Sequence, residues 1–326
     1  MYSPLVNVET TVSIQASQVE LSRMTINNIL LATDFSAEAQ NALQCAVSVA
    51  KRYGATIFLT HVLATESSVG AAVEGWPTLS DVTRRNAERS MAKIENTEDL
   101  KLLPHEVILR SGDTWEVISE VLSDKNVDLI VIGTQGRGGL KKLFLGSTAE
   151  QVMRHATCPV LTVGPHVQSV SLSRFGHILY ASDFSSGSTR ALTYAWSLAE
   201  EDRAELTLLH VIGSQPASES ELLEWKQQDR ERLSQMVPPD VDLAYKPEIE
   251  VEIGIPEVEI VRLADIRKAD LIVMGCHSGG VVSTHLPWTT LHHVLQHAHC
   301  PVLTVRSEWS AANGADAGQS TGVLFG

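Results

Sequence analysis

Short apolar runs alternate with amphipathic stretches along most of the chain. The runs are uninterrupted and rich in β-branched residues, which is typical of strands buried on both faces of a parallel sheet. The stretches between them space their apolar positions as helices do. In the first half of the chain, the predicted strands are ILLAT, ATIFLTHV, HEVIL, DLIVIG and PVLTV. This alternation predicts a doubly wound sheet with right-handed crossovers and helices on both faces.

The first helix has the clearest boundary signals. Ser36 is predicted to cap its N-terminus, Glu38 lies in the first turn, and Gly54 is predicted to end it. Its buried face is predicted to consist of Ala42, Ala46, Val49 and Ala50.

The chain also repeats itself. Asp34 and His61 correspond to Asp183 and His210, 149 positions further on. Asp128 and Cys158 correspond to Asp270 and Cys300, 142 positions further on, so the second copy is seven residues shorter in its middle. This period indicates a duplicated domain, because solenoid units run about 20–50 residues. We therefore predict an α/β fold with two tandem doubly wound five-stranded parallel sheets, each a Rossmann-like α/β/α sandwich.

Length, charge and cysteine content narrow the class of protein. The 326 residues suffice for two domains of about 150 residues each. The net charge of −14 disfavours binding to nucleic acid or anionic lipid, and no segment reaches the ~18–20 apolar residues of a membrane span. The four cysteines lack CxxC spacing, which indicates reduced thiols in a cytoplasmic protein. Cys158 and Cys300 are expected to pack as small apolar groups.

A glycine-rich segment, GTQGRGGLKKLFLGST at 133–148, follows the fourth predicted strand. Ligands of such sheets bind beyond the carboxyl ends of the strands, where the winding direction reverses. Gly133 is expected to turn the chain off the strand, and Gly136 to expose backbone amides. Gly146 opens a predicted helix, whose N-terminus favours an anion. Arg137, Lys141 and Lys142 add positive charge, so the segment is predicted to hold phosphate. The Walker and dinucleotide-binding glycine patterns are both absent.

The spacing G-x2-G-x9-G-[ST] resembles the ATP-binding motif of universal stress proteins. Gly133, Gly136, Gly146 and Ser147 match it without a gap. The resemblance extends over about residues 26–163 and again 175–306, so the chain resembles a tandem universal stress protein. It implies a sheet order of 3-2-1-4-5 and an ATP pocket between strands one and four.

The resemblance also implies the roles of individual residues. Asp34 would contact the adenosine, beside Ala32 and Thr33. Val62 would offer backbone hydrogen bonds to adenine, and Ile132 would pack nearby. The ribose and phosphates, with Mg²⁺ or Mn²⁺ between phosphate oxygens, would be held by Gly133, Gly136, Gly146, Ser147 and Thr148.

The second copy departs from this motif. Gly275 matches the first glycine, but Ser278 and Trp288 replace the second and third. Asp183 and Val211 persist. The second copy is therefore expected to be a degenerate partner that does not bind ATP in the manner of the family.

Simpler interpretations exist for several of these residues. Asp34 can cap the following turn, and Ser147 and Thr148 can be plain helix caps. His61 and His210 are expected to be structural histidines. A histidine cluster near the end of the second copy includes His293 and His297 at i,i+4 spacing, which suits a metal, although surface and structural roles are favoured and no metal site is predicted.

The predicted organisation is a polar extension (1–25), an ATP-binding domain (26–164), a linker (165–174), a degenerate domain (175–306) and a disordered tail (307–326). The two domains are expected to pack as an internal pseudo-dimer, and a further homodimer is compatible with the sequence. No nucleophile or base of defined spacing accompanies the glycine segment, so a regulatory ATP-binding protein is favoured over an enzyme. An ATP-independent, chaperone-like protein and a weak ATPase or autokinase are the alternatives.

Overall fold

Ten strands form one continuous sheet in the computed structural model, with helices on both faces. The structure describes residues 24–63, 79–134, 145–167, 174–238, 242–276 and 288–306. The predicted N-terminal extension up to residue 23, the predicted tail, Gly136, Arg137 and Ser278 lie outside these ranges.

The first half of the fold holds strands β1 to β5. Its elements are β1 (Asn28–Ala32), α1 (Ala37–Tyr53), β2 (Thr56–Leu63), α2 (Leu79–Glu95), α3 (Glu98–Lys101), β3 (His105–Ser111), α4 (Thr114–Asp124), β4 (Leu129–Gly133), α5 (Ser147–His155) and β5 (Val160–Val163). All five predicted strands are present, which confirms the βα alternation.

The second half holds β6 to β10 and repeats the alternation. Its elements are β6 (His177–Ser182), α6 (Ser186–Asp202), β7 (Glu205–Ile212), α7 (Glu219–Gln235), β8 (Glu248–Ile253), α8 (Pro256–Arg267), β9 (Leu271–Cys276), α9 (Trp288–His297) and β10 (Val302–Arg306).

The strand order is β3-β2-β1-β4-β5-β10-β9-β6-β7-β8, so each half has the predicted 3-2-1-4-5 arrangement. The two predicted sheets join because β5 and β10 pair antiparallel, whereas the other neighbouring strands are parallel. Leu161 lies opposite Leu303, its own equivalent in the second copy. The halves thus form an internal pseudo-dimer about an axis near this pair.

Helix α1 begins and ends where the sequence predicts. The Ser36 hydroxyl accepts a hydrogen bond from the Ala39 amide at 3.1 Å, and Gly54 closes the helix at a φ of +68°. All four residues of the predicted apolar face are buried. One helical layer, with α1 and α6, packs on one face of the sheet, and a second layer, with α4, α5, α8 and α9, packs on the other. Each layer's apolar core runs through both halves.

Candidate functional site

A cavity of about 170 Å³ opens beyond the carboxyl ends of β1 and β4. The winding of the first half reverses between these two strands, which is where ligands of such sheets bind. A cavity of roughly 150 Å³ holds a benzene ring, so this one has room for a single base-sized group. A longer ligand would extend out of it.

Nine of the eleven predicted site residues line this cavity: Ala32, Thr33, Asp34, Val62, Ile132, Gly133, Gly146, Ser147 and Thr148. The remaining two, Gly136 and Arg137, lie outside the described residues. The fold thus gathers residues from the ends of three strands and the start of α5 around one space. Their roles toward a ligand remain predictions.

The cavity wall also holds residues that the sequence analysis did not assign to it. These are Ala39, Thr60, His61, Thr114, Ile118, Thr134 and Ala149. Three of them, His61, Thr134 and Ala149, directly adjoin a predicted residue along the chain, so adjacency could have suggested them although none has a distinctive spacing. Thr114 and Ile118 could not be found in this way, because α4 reaches the site only through the winding of the chain.

Asp34 takes part in the turn between β1 and α1. Its Oδ1 accepts a hydrogen bond from the Ser36 amide at 3.0 Å, as the capping interpretation predicts. The intervening Phe35 has a φ of +65°, a region that bulky residues rarely occupy and that often marks functional sites. Phe184 repeats this conformation in the second half, with a φ of +59°, so the turn belongs to the shared fold.

His61 has a structural role, as predicted. Its Nδ1 donates to the Thr33 carbonyl oxygen at 2.7 Å, and its ring packs on Phe35 with centroids 4.4 Å apart. His210 makes the equivalent bond to Ser182 at 2.8 Å. A carbonyl oxygen only accepts, so Nδ1 carries the proton in this bond.

Gly133 is required by helix packing. A Cβ atom on Gly133 would lie 3.0 Å from the Glu38 carbonyl carbon, and one on Gly275 would lie only 2.2 Å from the Ser188 amide nitrogen. The two glycines let α1 and α6, the helices that follow the first strand of each half, approach the sheet closely. The first glycine of the motif therefore serves the fold in both halves, beyond the turn expected from the sequence.

Thr134 is the most informative residue that the sequence analysis missed. It is only 1% exposed, and its hydroxyl has no hydrogen-bond partner in the described part of the chain. Its backbone joins two elements, because its amide donates to the Val163 carbonyl at 3.1 Å and its carbonyl accepts from the Gly146 amide at 2.7 Å. An unpartnered buried hydroxyl costs roughly 1–3 kcal/mol, so this group suits a ligand. Cys276 has the equivalent position in the second half.

Helix α5 presents its N-terminus to the cavity. Gly146 is the N-cap, and as a glycine it has no side chain with which to cap the helix. Ser147 and Thr148 are the first helical residues, so the interpretation of these two as plain caps is wrong. Both residues line the cavity beside the positive end of the helix dipole. Among the described residues that line the cavity, Asp34 is the only carboxylate, and none is Lys or Arg.

The second half has further polar contacts in the corresponding region. The Ser185 and Ser188 hydroxyls both donate to Asp183 Oδ1, whereas Ala39 occupies the place of Ser188 in the first half. Near the start of α9, the Thr290 hydroxyl donates to Glu257 Oε2 at 3.2 Å. A carboxylate of the chain itself thus lies near the helix N-terminus that would otherwise face an anion.

Burial makes the four cysteines unreactive. Burial raises the pKa of Cys45 and Cys300 to about 12 and that of Cys276 to about 11. Cys158 is only half-buried, yet burial also raises its pKa to about 12. A thiol with a raised pKa stays protonated and is a poor nucleophile.

The histidines near the end of the second half make separate contacts. His293 and His297 stack with their ring centroids 4.0 Å apart, and His299 Nδ1 lies 2.9 Å from Asp265 Oδ1. Within the described ranges, no three potential ligands come together around a metal-sized space. The same ranges contain no helix long and apolar enough to cross a membrane.

The fold and the cavity define a Rossmann-like α/β protein with two pseudo-symmetric halves and a candidate ligand site in the first. A sequence model of the Universal stress protein family matches residues 25–164 and again 174–306. The chain therefore belongs to the universal stress protein family and carries two of its domains in tandem.

Relatives cover both the single domain and the tandem arrangement. A universal stress protein of Mycolicibacterium smegmatis is 27% identical over 296 residues, which are 85% of this chain and 96% of that protein. One from Methanocaldococcus jannaschii is 32% identical over 137 residues, 41% of this chain and 80% of that protein. The crystal structure of a universal stress protein from Archaeoglobus fulgidus has the same fold, with a TM-score of 0.64 and 22% identity over 88% of this chain and 98% of that chain.

Proposed function

We propose that the first half binds ATP in the cavity beyond β1 and β4, and that the protein acts as a regulatory stress-response module. One observation carries the proposal. Nine residues that the motif and the resemblance assign to ATP come from separate elements and line one cavity at the switch point of the sheet.

The cavity has room for the adenine base. Adenine would lie between Ile132 and the end of β2, where the Val62 backbone would supply hydrogen bonds. Asp34 would accept from the adenosine part, since a carboxylate suits hydroxyl donors. The buried Thr134 hydroxyl, which has no hydrogen-bond partner among the described residues, offers a further hydrogen bond to the ligand.

The phosphates would lie at the start of α5. The first amides of this helix and the Ser147 and Thr148 hydroxyls are donors suited to phosphate oxygens. Because Asp34 is the only carboxylate among the described lining residues, Mg²⁺ or Mn²⁺ would be held chiefly by phosphate oxygens, where it would neutralise their charge. Arg137, Lys141 and Lys142 would add positive charge.

A binding role is favoured over catalysis. Phosphoryl transfer needs a positioned nucleophile or base beside the phosphates. His61 Nδ1 is committed to the Thr33 carbonyl, and the described cysteines have raised pKa values. We therefore propose a non-catalytic ATP-binding half beside a half whose own groups, Ser188 and Glu257, occupy the equivalent region.

Calorimetric titration of Mg·ATP into the full chain tests the proposal, with one ATP per chain expected. Gly146→Trp copies the residue of the second half and should abolish binding, because the indole would block the start of α5. Trp288→Gly is the matched control and should leave the stoichiometry at one.

Absence of heat and of a thermal shift at millimolar ATP would favour the ATP-independent, chaperone-like alternative. Retained affinity in Gly146→Trp would place the site elsewhere. Phosphate release or self-labelling well above background would overturn the non-catalytic assignment.

A further inference from the structure

We propose that His292, in the second half, is a positioning residue for the ligand site of the first half. The Leu145 amide donates a hydrogen bond to His292 Nε2 at 3.1 Å. Leu145 directly precedes Gly146, the N-cap of α5, so the bond holds the chain where this helix begins. The inference rests on the proposed function as far as the ligand is concerned, whereas the contact itself is a feature of the apo fold.

The contact determines the protonation of the ring. A backbone N–H only donates, so Nε2 of His292 must present its lone pair, and the proton of the neutral ring lies on Nδ1. The side-chain nitrogen of Gln296 lies 3.3 Å from the same Nε2 atom and can donate to it as well. His292 therefore acts here as an acceptor, a role that a carbonyl oxygen could reproduce and a phenyl ring could not.

A second path connects α9 with the same point. A Cβ atom on Gly164 would lie 2.5 Å from the Leu295 carbonyl oxygen, so α9 packs directly on the backbone that follows β5. The preceding Val163 carbonyl accepts from the Thr134 amide, and the Thr134 carbonyl accepts from the Gly146 amide. The N-cap of α5 is thus tied to the second half through a side chain and through a relay of backbone bonds.

The arrangement is one-sided. The repeat relates His292 to Glu150, Leu145 to Pro287 and Gly164 to Arg306. Proline has no amide proton, so Pro287 cannot make the equivalent bond to Glu150. Glu150 instead accepts from Arg154 in its own helix at 3.0 Å. The second half, which has lost the glycine motif, thus supports the first half, which keeps it. This support gives the degenerate half a function.

The test compares two substitutions of one side chain. His292→Phe keeps a ring and removes the acceptor, whereas His292→Gln places an amide oxygen close to the position of Nε2. His297→Phe is the control, because His297 is also a half-buried histidine of α9 but its Nδ1 bonds the His293 carbonyl within the helix. Two quantities are measured for each full-length protein: hydrogen exchange of the Leu145 amide without ligand, and the Kd for Mg·ATP.

His292→Phe should speed exchange at Leu145 about tenfold and weaken ATP binding about three- to tenfold, as expected for one neutral hydrogen bond. His292→Gln should restore both quantities, and His297→Phe should leave both unchanged. Unchanged exchange in His292→Phe, faster exchange with unchanged affinity, or equal effects of His297→Phe would each overturn the proposal. If the unaltered protein binds no ATP, the proposed function fails, and exchange at Leu145 alone decides whether His292 holds the start of α5.

Discussion

Arg52 pairs with Glu201, the residue that occupies its own position in the second copy. The guanidinium Nη2 lies 2.9 Å from Glu201 Oε2, and Nη1 lies 2.7 Å from Asp202 Oδ2. The Tyr53 hydroxyl also donates to Glu201. A symmetric pair of identical chains would bring like charges together here, so the duplication has diverged into opposite charges that favour pairing between the two halves.

Removal of this charge should destabilise the whole fold. Arg52 and its two partners are 13%, 20% and 7% exposed, so Arg52→Ala leaves two carboxylates with little solvent and should cost about 3–5 kcal/mol of unfolding free energy. Lys51→Ala is the neighbouring control and should cost under about 1 kcal/mol, because its pair with Asp99 is exposed. Urea unfolding monitored by circular dichroism measures both, and equal costs would contradict the role of the pair.

The two equivalent glycines should differ in their tolerance of a methyl group. Gly275→Ala should prevent folding or cost more than about 3 kcal/mol, since its Cβ would meet the Ser188 backbone at 2.2 Å. Gly133→Ala should cost about 1–2 kcal/mol, because its nearest contacts are at 3.0 Å. Expression yield and urea midpoints show which substitution is more destabilising. A larger cost for Gly133→Ala would show that the first half packs more tightly.

Thr134→Val should change stability and binding in opposite directions. Valine removes a buried hydroxyl without a partner in the described structure, so the apo protein should gain up to about 1–3 kcal/mol, while ATP should bind more weakly. The matched control is Thr304→Val, which loses a bond to the Val160 carbonyl at 3.3 Å and should destabilise by about 1 kcal/mol. Thermal unfolding measures the change in stability, and calorimetry measures the change in ATP affinity. A destabilised Thr134→Val protein would indicate that its hydroxyl is bonded.

Acid should weaken the fold through His177. Burial lowers the pKa of this histidine below its ordinary value, although Glu205 lies 3.5 Å away. The unfolded chain therefore binds a proton more readily than the folded one. Stability should fall as the pH drops through the ordinary histidine pKa of about 6.5 toward the lowered folded value.

His177→Gln should remove part of this dependence. The loss of unfolding free energy between about pH 7.5 and pH 5.5 should be smaller in the variant than in the unaltered protein. His299→Gln is the control, because it makes the same substitution at an exposed histidine. An identical pH slope in His177→Gln and the unaltered protein would refute the assignment.

Local signals predicted much of this architecture. The strand runs, the Ser36 cap and the Gly54 end of α1 depend on residues within a few positions of one another, and all are present in the structure. The glycine spacing indicated the edge of the sheet at which the cavity lies, because the carboxyl ends of neighbouring parallel strands share one edge. Thr134 was missed because a threonine after a strand has no distinctive spacing, and only burial without a partner distinguishes it.

The sequence by itself determined the duplicated α/β pattern, the sheet order of each half through the family resemblance, and the contrast between an intact and a degenerate motif. Only the tertiary structure decided that β5 and β10 join the halves into one sheet, that Arg52 faces Glu201, and that His292 reaches Leu145. These contacts join residues more than 140 positions apart. Periodicity constrains each element and its neighbours along the chain. Contacts between the halves depend instead on how two complete halves pack, and the sequence contains many similar residues that could form equally plausible pairs.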